Sequence, residues 1–221
     1  MRITRLTLYT SDLITIKNFY GEVLSLKIIS DEEHEIIFQI GETELIFKES
    51  LGGETPFYHF AFNITSNKIE EAIEWMNEKA ELLPIFDNNC VADFINWNAK
   101  SIYFIDPAGN ITELIARFDL NNDTEEKFDS LQILNVSEMG IVTDNVEACR
   151  QKLIEKYKVF DFVKSVNSNT FSAMGDDNGL FIIASENRNW YPTKTPSRKF
   201  PFEIEFINDS GEVFILTDKT M

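Results

Sequence analysis

The sequence predicts an α+β protein assembled from repeated βαβββ modules. Three observations predict it. The same order of short strands and one amphipathic helix returns roughly every 55–75 residues, the mark of a repeated supersecondary unit. The 19 Phe residues fall mostly in short alternating runs, which favours pleated strands over disorder. Polar capping residues stand between strand and helix in the first two repeats.

The first repeat opens with a strand over 3–9, where Leu6 and Leu8 share one face and Arg5, Thr7 and Tyr9 the other. Ser11 and Asp12 offer N-caps for a helix whose Ile16, Phe19, Tyr20, Val23 and Leu24 recur at helical spacing. Strands follow over 27–31, 35–40 and 44–48. After Gly52-Gly53 the order begins again, with a strand over 58–64, a cap at Ser66-Asn67 and a helix carrying Ile69, Ala72, Ile73 and Met76. Strands are expected over 83–86, 101–105 and 111–116, with a turn at Asp87-Asn88-Asn89 and another at Asp106-Pro107-Ala108-Gly109-Asn110.

An acidic stretch over 119–130 reads as a linker. Beyond it a strand over 133–142 leads to a helix with Val146, Cys149, Leu153 and Ile154 on one face, then strands over 159–164, 170–174 and 180–184. A polar loop over 186–199 ends in two more strands, 202–207 and 212–216, joined by Asn208-Asp209-Ser210-Gly211. The expected organisation is therefore a two-module domain over 1–118, the linker, and a third module with a truncated fourth over 131–221. One module cannot cover its own curved sheet, so modules should pack in pairs. The incomplete second half points to completion by a second chain, a homodimer.

Composition narrows function. The chain has 221 residues, of which 43% are hydrophobic and 26% charged. A chain of this size buries roughly 70% of its unfolded surface and needs neither disulfide nor metal to fold. Its formal net charge of −17, from 37 acidic and 20 basic residues, repels phosphate backbones and anionic lipid, so neither nucleic acid nor membrane is an expected partner. Two cysteines in unlike contexts, Cys90 and Cys149, suit a reducing compartment. Met1-Arg2-Ile3-Thr4-Arg5 runs straight into a strand with no apolar signal region. The expected location is the cytoplasm. There is no Gly-x-Gly-x-x-Gly or Walker loop, no Cys-x-x-Cys pair and no Gly-x-Ser-x-Gly elbow.

Arg5-Leu6-Thr7-Leu8-Tyr9-Thr10-Ser11-Asp12-Leu13, with Phe19-Tyr20 and Leu24-Ser25-Leu26, resembles the opening signature of vicinal-oxygen-chelate proteins, the glyoxalase/bleomycin resistance protein/dioxygenase-like superfamily. Ser25 takes a position the signature gives to glycine. Tyr58-His59-Phe60-Ala61-Phe62 resembles the start of a second module, and Asp106-Pro107-Ala108-Gly109-Asn110-Ile111-Thr112-Glu113-Leu114 the closing motif. The resemblance covers about the first 117 residues by motif and the rest by architecture. It implies the glyoxalase/bleomycin-resistance/dioxygenase fold around a small-molecule cup, but one fold hosts many chemistries.

In the glyoxalase I and fosfomycin-modifying enzymes that this half resembles, His and Glu side chains hold a divalent metal. Matched strand by strand, the resemblance places ligand positions at Arg5, Glu44, His59 and Glu113. Period-2 alternation lets all four face the cup, and three suit a borderline divalent cation such as Mn, Fe, Ni or Zn. Arg5 does not, because a guanidinium has only donors and stays charged. Three outcomes follow. Arg5 replaces the metal and bridges Glu44 and Glu113; or it turns aside from a three-ligand site; or it anchors an anionic substrate.

Tyr9 and Tyr103 could donate to a ligand, with Tyr103 and Glu113 the candidate proton-transfer groups. Trp97 could wall the entrance. Glu138 lies near the third module's counterpart of Arg5, but without a second histidine there a metal site is not expected. Arg188-Asn189-Trp190-Tyr191-Pro192 could form a lid or a dimer contact. His34, among glutamates, is expected to be exposed. The leading expectation is a protein that binds or sequesters a small ligand without cofactor, its metal site disarmed by Arg5. One alternative is a metal-dependent lyase, isomerase, transferase or dioxygenase using Glu44, His59 and Glu113. Another is a non-catalytic dimerising protein.

Overall fold

A computed structural model describes residues 1–50, 52–86 and 89–221. Asp87 and Asn88, in the turn expected at 87–89, lie outside the described residues, as does Leu51. No described helix is long and apolar enough to cross a membrane.

The first repeat forms as expected: β1 (Arg2–Thr10), α1 (Leu13–Lys17), then β2 (Lys27–Glu32), β3 (Glu35–Ile40) and β4 (Thr43–Glu49). Asp12 caps α1 by accepting from Thr15 N at 2.9 Å. The helix continues through a wider π-helical stretch, Asn18–Val23, that keeps Phe19 and Tyr20 buried. The second repeat gives β5 (His59–Ile64), α2 (Ile69–Asn77), β6 (Ala92–Phe94), β7 (Ala99–Ile105) and β8 (Ile111–Arg117). The third gives β9 (Ile133–Thr143), α3 (Val146–Lys152), β10 (Phe171–Asp176) and β11 (Gly179–Ser185), and the fragment gives β12 (Glu203–Ile207) and β13 (Val213–Thr217).

Two expected strands are absent. The run over 83–86 makes single bridges instead, Leu82 to Phe104 and Phe86 to Asn89, because Pro84 has no N–H for a ladder. β6 takes that place beside β7. The run over 159–164 touches the sheet only where Asp161 meets Met174. Its burial does not alternate: Val159 and Phe162 are buried, whereas Val163 is 93% exposed. Ser66 and Asn67 do not cap α2, which has no side-chain cap. Ser66 N donates instead to Asn122 Oδ1 at 2.9 Å, and Asn67 Nδ2 to Thr124 O at 3.0 Å. The acidic stretch is thus docked, with Phe128 buried against Trp75.

The strands assemble into two sheets, ordered β13-β12-β1-β4-β3-β2 and β10-β11-β9-β5-β8-β7-β6. The sheets therefore do not follow the boundary expected at the linker. The fragment completes the first module's sheet through antiparallel β1–β12 pairing, within the same chain. The second module joins the third through antiparallel β5–β9 pairing. The incomplete second half, the ground for expecting completion by a second chain, is thus accommodated within this chain's own two sheets.

Alternation fixes which residues face the core. Leu6 and Leu8 of β1 share one hydrophobic cluster with Phe60 and Phe62 of β5 and Met139 and Ile141 of β9. The residues between them in sequence, Arg5 and Thr7 or His59 and Ala61, face away from that cluster. A second cluster, including Tyr103, Ile182 and Trp190, lies on the opposite face of the seven-stranded sheet. Both cysteines are free, and burial on α3 pushes the Cys149 thiol up to about 12.

Candidate metal centre

Three adjacent strands build the site. β5 lies at the middle of the seven-stranded sheet, with β8 parallel on one side and β9 antiparallel on the other. Ala61 pairs with Glu113 across one ladder and with Glu138 across the other. All three side chains share a face, as does His59 two residues back along β5. The methyl group of Ala61 leaves the space between the two carboxylates open.

His59 Nε2 lies 3.8 Å from Glu113 Oε2 and 3.9 Å from Glu138 Oε2, and one ligating atom from each residue lies within 4.8 Å of the others. All three residues are buried. The His59 Nδ1–H donates to Ile111 O at 3.0 Å, which turns Nε2, the acceptor, toward the carboxylates. Burial alone lowers the His59 pKa, but Glu138 and Glu113 outweigh it and the net direction is up. Burial, reinforced by the Glu138 carboxylate, pushes Glu113 up to about 7. Burial and the same carboxylates hold the Tyr103 phenol well above its ordinary value, so it stays protonated.

A further layer fixes Glu138. Arg117, fully buried at the end of β8, donates from Nη2 to Glu138 Oε1 and from Nε to Asn63 Oδ1 at 3.1 Å. Its Nη1 lies 3.5 Å from Asp177 Oδ1, and its guanidinium sits 5.7 Å from the Trp97 ring centre. Asp177 also accepts from Lys164 at 2.6 Å.

The site opens into a cavity of about 400 Å³ walled by Trp97, Tyr103, Trp190 and Tyr191, among others. Trp190 stands 5.2 Å from His59, ring centre to ring centre. Gly140 makes this approach possible, because a Cβ there would meet Trp190 at 2.7 Å. Ile182 also lines the cavity and pairs with Gly140, two residues beyond Glu138. It thus holds the register position that Glu113 holds relative to His59, and it cannot ligate. The arrangement offers three ligands and an apolar fourth side.

The expected site residues are divided between the sheets. His59, Glu113, Tyr103 and Trp97 line this cavity. Arg5 and Glu44 pair with each other at 2.9 Å, half exposed on the six-stranded sheet, and neither lines it. Arg5 therefore does not bridge Glu44 to Glu113. Glu44 fails as a ligand on register: it pairs directly with Arg5, whereas Glu113 sits two positions beyond the residue paired with His59. The same offset from Arg5 lands on Ile46. Tyr9 is also outside the cavity, its backbone N–H donating to the Tyr58 hydroxyl at 3.2 Å.

Glu138 completes the cluster; the sequence places it near the third module's counterpart of Arg5 and expects no second metal site there, but does not join it to His59 and Glu113. The stretch 188–192 walls the cavity through Arg188, Trp190 and Tyr191. His34 is exposed, as expected. Arg117 was not singled out, although its alternation with Glu113 and Ile115 on β8 places it on the same face.

No family model matches the chain. A curated relative, the metallothiol transferase FosB of Staphylococcus saprophyticus, is 29% identical over 119 residues, covering 51% of this chain and 74% of the relative. Among solved structures, a Bacillus subtilis protein named provisionally as a dioxygenase superposes with a TM-score of 0.60 at 12% identity, covering 98% of this chain and 84% of that one. The fosfomycin resistance protein FosX of Listeria monocytogenes, solved with Mn(II) and sulfate, is 26% identical over 50% of this chain and 85% of its own, with a TM-score of 0.39. The repeated modules, the closing motif ending in Glu113-Leu114 and the similarity to FosB agree: the chain has the fold of the vicinal-oxygen-chelate superfamily and is similar to one of its members.

Proposed function

We propose that the chain is a divalent-metal-dependent enzyme that acts on a small molecule in the cavity, with His59, Glu113 and Glu138 holding the metal. One observation carries this reading: three buried ligating atoms converge within 4.8 Å, with His59 Nε2 turned toward both carboxylates. The donor set fits. One imidazole and two carboxylates suit Mn, Fe, Ni or Zn, and three protein ligands with an apolar fourth side match a catalytic rather than a structural site. The relative's name, metallothiol transferase, joins a metal to a transfer reaction and supports the same direction. Disarming by Arg5 loses its premise, since Arg5 lies on the other sheet.

A bound divalent cation would supply a Lewis acid for two neighbouring substrate oxygens. The chain's own groups do the rest. Ile111 fixes the His59 tautomer, and Arg117 occupies one Glu138 oxygen, leaving the other for the metal. Tyr103, held neutral by burial and by the two carboxylates, can donate a proton to a bound substrate, and Glu113 can accept one where it leaves the metal. Trp97, Trp190 and Tyr191 exclude water and hold an apolar body against the site.

Titration of the metal-free protein with Co²⁺ tests this reading. Visible d–d absorption saturating at one equivalent is expected for the native chain, and none for His59→Ala or Glu138→Gln. A native chain that shows no such band contradicts the reading.

A further inference from the structure

The two cationic side chains that line the cavity differ in one respect. Lys164 is neutralised, its ammonium donating to Asp119 and to Asp177 at 2.6 Å each. Arg188 makes no ion pair and no side-chain hydrogen bond among the described residues. Burial alone depresses its pKa, and no carboxylate opposes the shift. Arg188 thus lines the cavity as a cation with no acid against it, in a chain with 37 acidic residues to 20 basic ones.

The position of Arg188 is fixed. Its N–H donates to Ser185 O at 3.1 Å, its carbonyl accepts from Ser197 N at 2.8 Å, and Trp190 N donates to Thr195 O at 2.9 Å. The guanidinium lies 4.8 Å from the Phe171 ring centre. Stacking engages the face of the guanidinium and leaves its planar fork of N–H donors free. One cavity is therefore lined by His59 and the carboxylates of Glu113 and Glu138, by an uncommitted guanidinium, and by aromatic walls.

We infer that the cavity takes a flat, largely apolar molecule bearing one anionic group, carboxylate or phosphonate, and that Arg188 binds that group. This rests on the reading of the cavity as the substrate site. Arg188 thus sets specificity and orientation: with the anion at Arg188, the other end of the molecule is presented to His59, Glu113 and Glu138.

Matched probes test it: 2-naphthoate and 2-naphthamide, identical in shape but not in charge, titrated calorimetrically into metal-free protein. Working without metal prevents the carboxylate from ligating an ion, so the result does not depend on whether the metal reading holds. The native chain is expected to bind the acid roughly 10- to 100-fold more tightly than the amide, the worth of a charged hydrogen bond. Arg188→Gln should bring the acid down to the amide's affinity, and Arg188→Lys should keep part of the preference. Thermal melts establish that each variant is folded. A native chain with no preference for the acid, or a preference that persists in Arg188→Gln, overturns the inference. Failure here beside a successful Co²⁺ titration removes the anion site alone; success here beside a failed titration removes the metal alone.

Discussion

Glu113 and Glu138 face each other across Ala61, each its direct partner in one of the two ladders that flank β5. Two buried carboxylates held this way repel each other. A divalent cation between them would turn that cost into the main attraction at the site.

Ala61→Val adds two methyl groups to the gap. Metal affinity should fall at least roughly tenfold, while overpacking costs about 1–3 kcal/mol of stability. Calorimetric metal titration and a denaturant melt check both. Native-like affinity in a folded Ala61→Val chain would show that the metal binds elsewhere.

Arg117 and Glu138 are both buried, so removing one partner strands a charge. Arg117→Met should cost about 3–5 kcal/mol in urea unfolding and weaken metal binding roughly 10- to 100-fold. The double change Arg117→Met with Glu138→Met should recover most of the stability and none of the metal binding. A single variant as stable as the native chain would refute the charge pairing.

The raised pKa values set a pH dependence. Glu113 ionises near about 4.3 in an unfolded chain but is pushed up to about 7 in the fold. Between those values the folded metal-free protein holds a proton that the unfolded chain has released. Stability therefore falls as pH rises through about 7. His59, also raised, has the same sign: its contribution is complete below its ordinary pKa and is lost as pH climbs through the folded one. The metal-free protein should melt higher at pH 6 than at pH 8, and Glu113→Gln should remove most of the difference. Metal affinity should run the opposite way, rising with pH as the ligands lose their protons. A Glu113→Gln chain with the native pH dependence would contradict the assignment.

Arg5 and Glu44 form a half-exposed pair on the other sheet. Arg5→Gln should change stability by about 0–1 kcal/mol and leave Co²⁺ binding untouched. Loss of the cobalt band in that variant would return Arg5 to the site.

Most strands and helix faces were legible because burial on one side imposes period 2 on strands and period 3.6 on helices, as in β3 and α3. Failures came where that rule lapses. Pro84 removed a ladder donor, and the run over 159–164, Val-Phe-Asp-Phe-Val-Lys, alternates neither in sequence nor in burial. His59 and Glu113 were legible because motif and alternation agreed on them. Glu138 was not, because its partnership with His59 depends on β5 pairing with β9, a contact that local pattern does not encode. The false placement of Arg5 and Glu44 has the same origin. All four residues occupy comparable strand positions, but pairing sends the first module to the fragment and the second to the third.

Elemental mass spectrometry of protein purified without chelator or affinity metal tests the central claim most directly, run on the native chain, Arg5→Gln and Glu138→Gln. The account predicts close to one divalent ion per chain in the native protein and in Arg5→Gln, and almost none in Glu138→Gln. A native chain without metal, or one whose metal survives Glu138→Gln and is lost in Arg5→Gln, would contradict it.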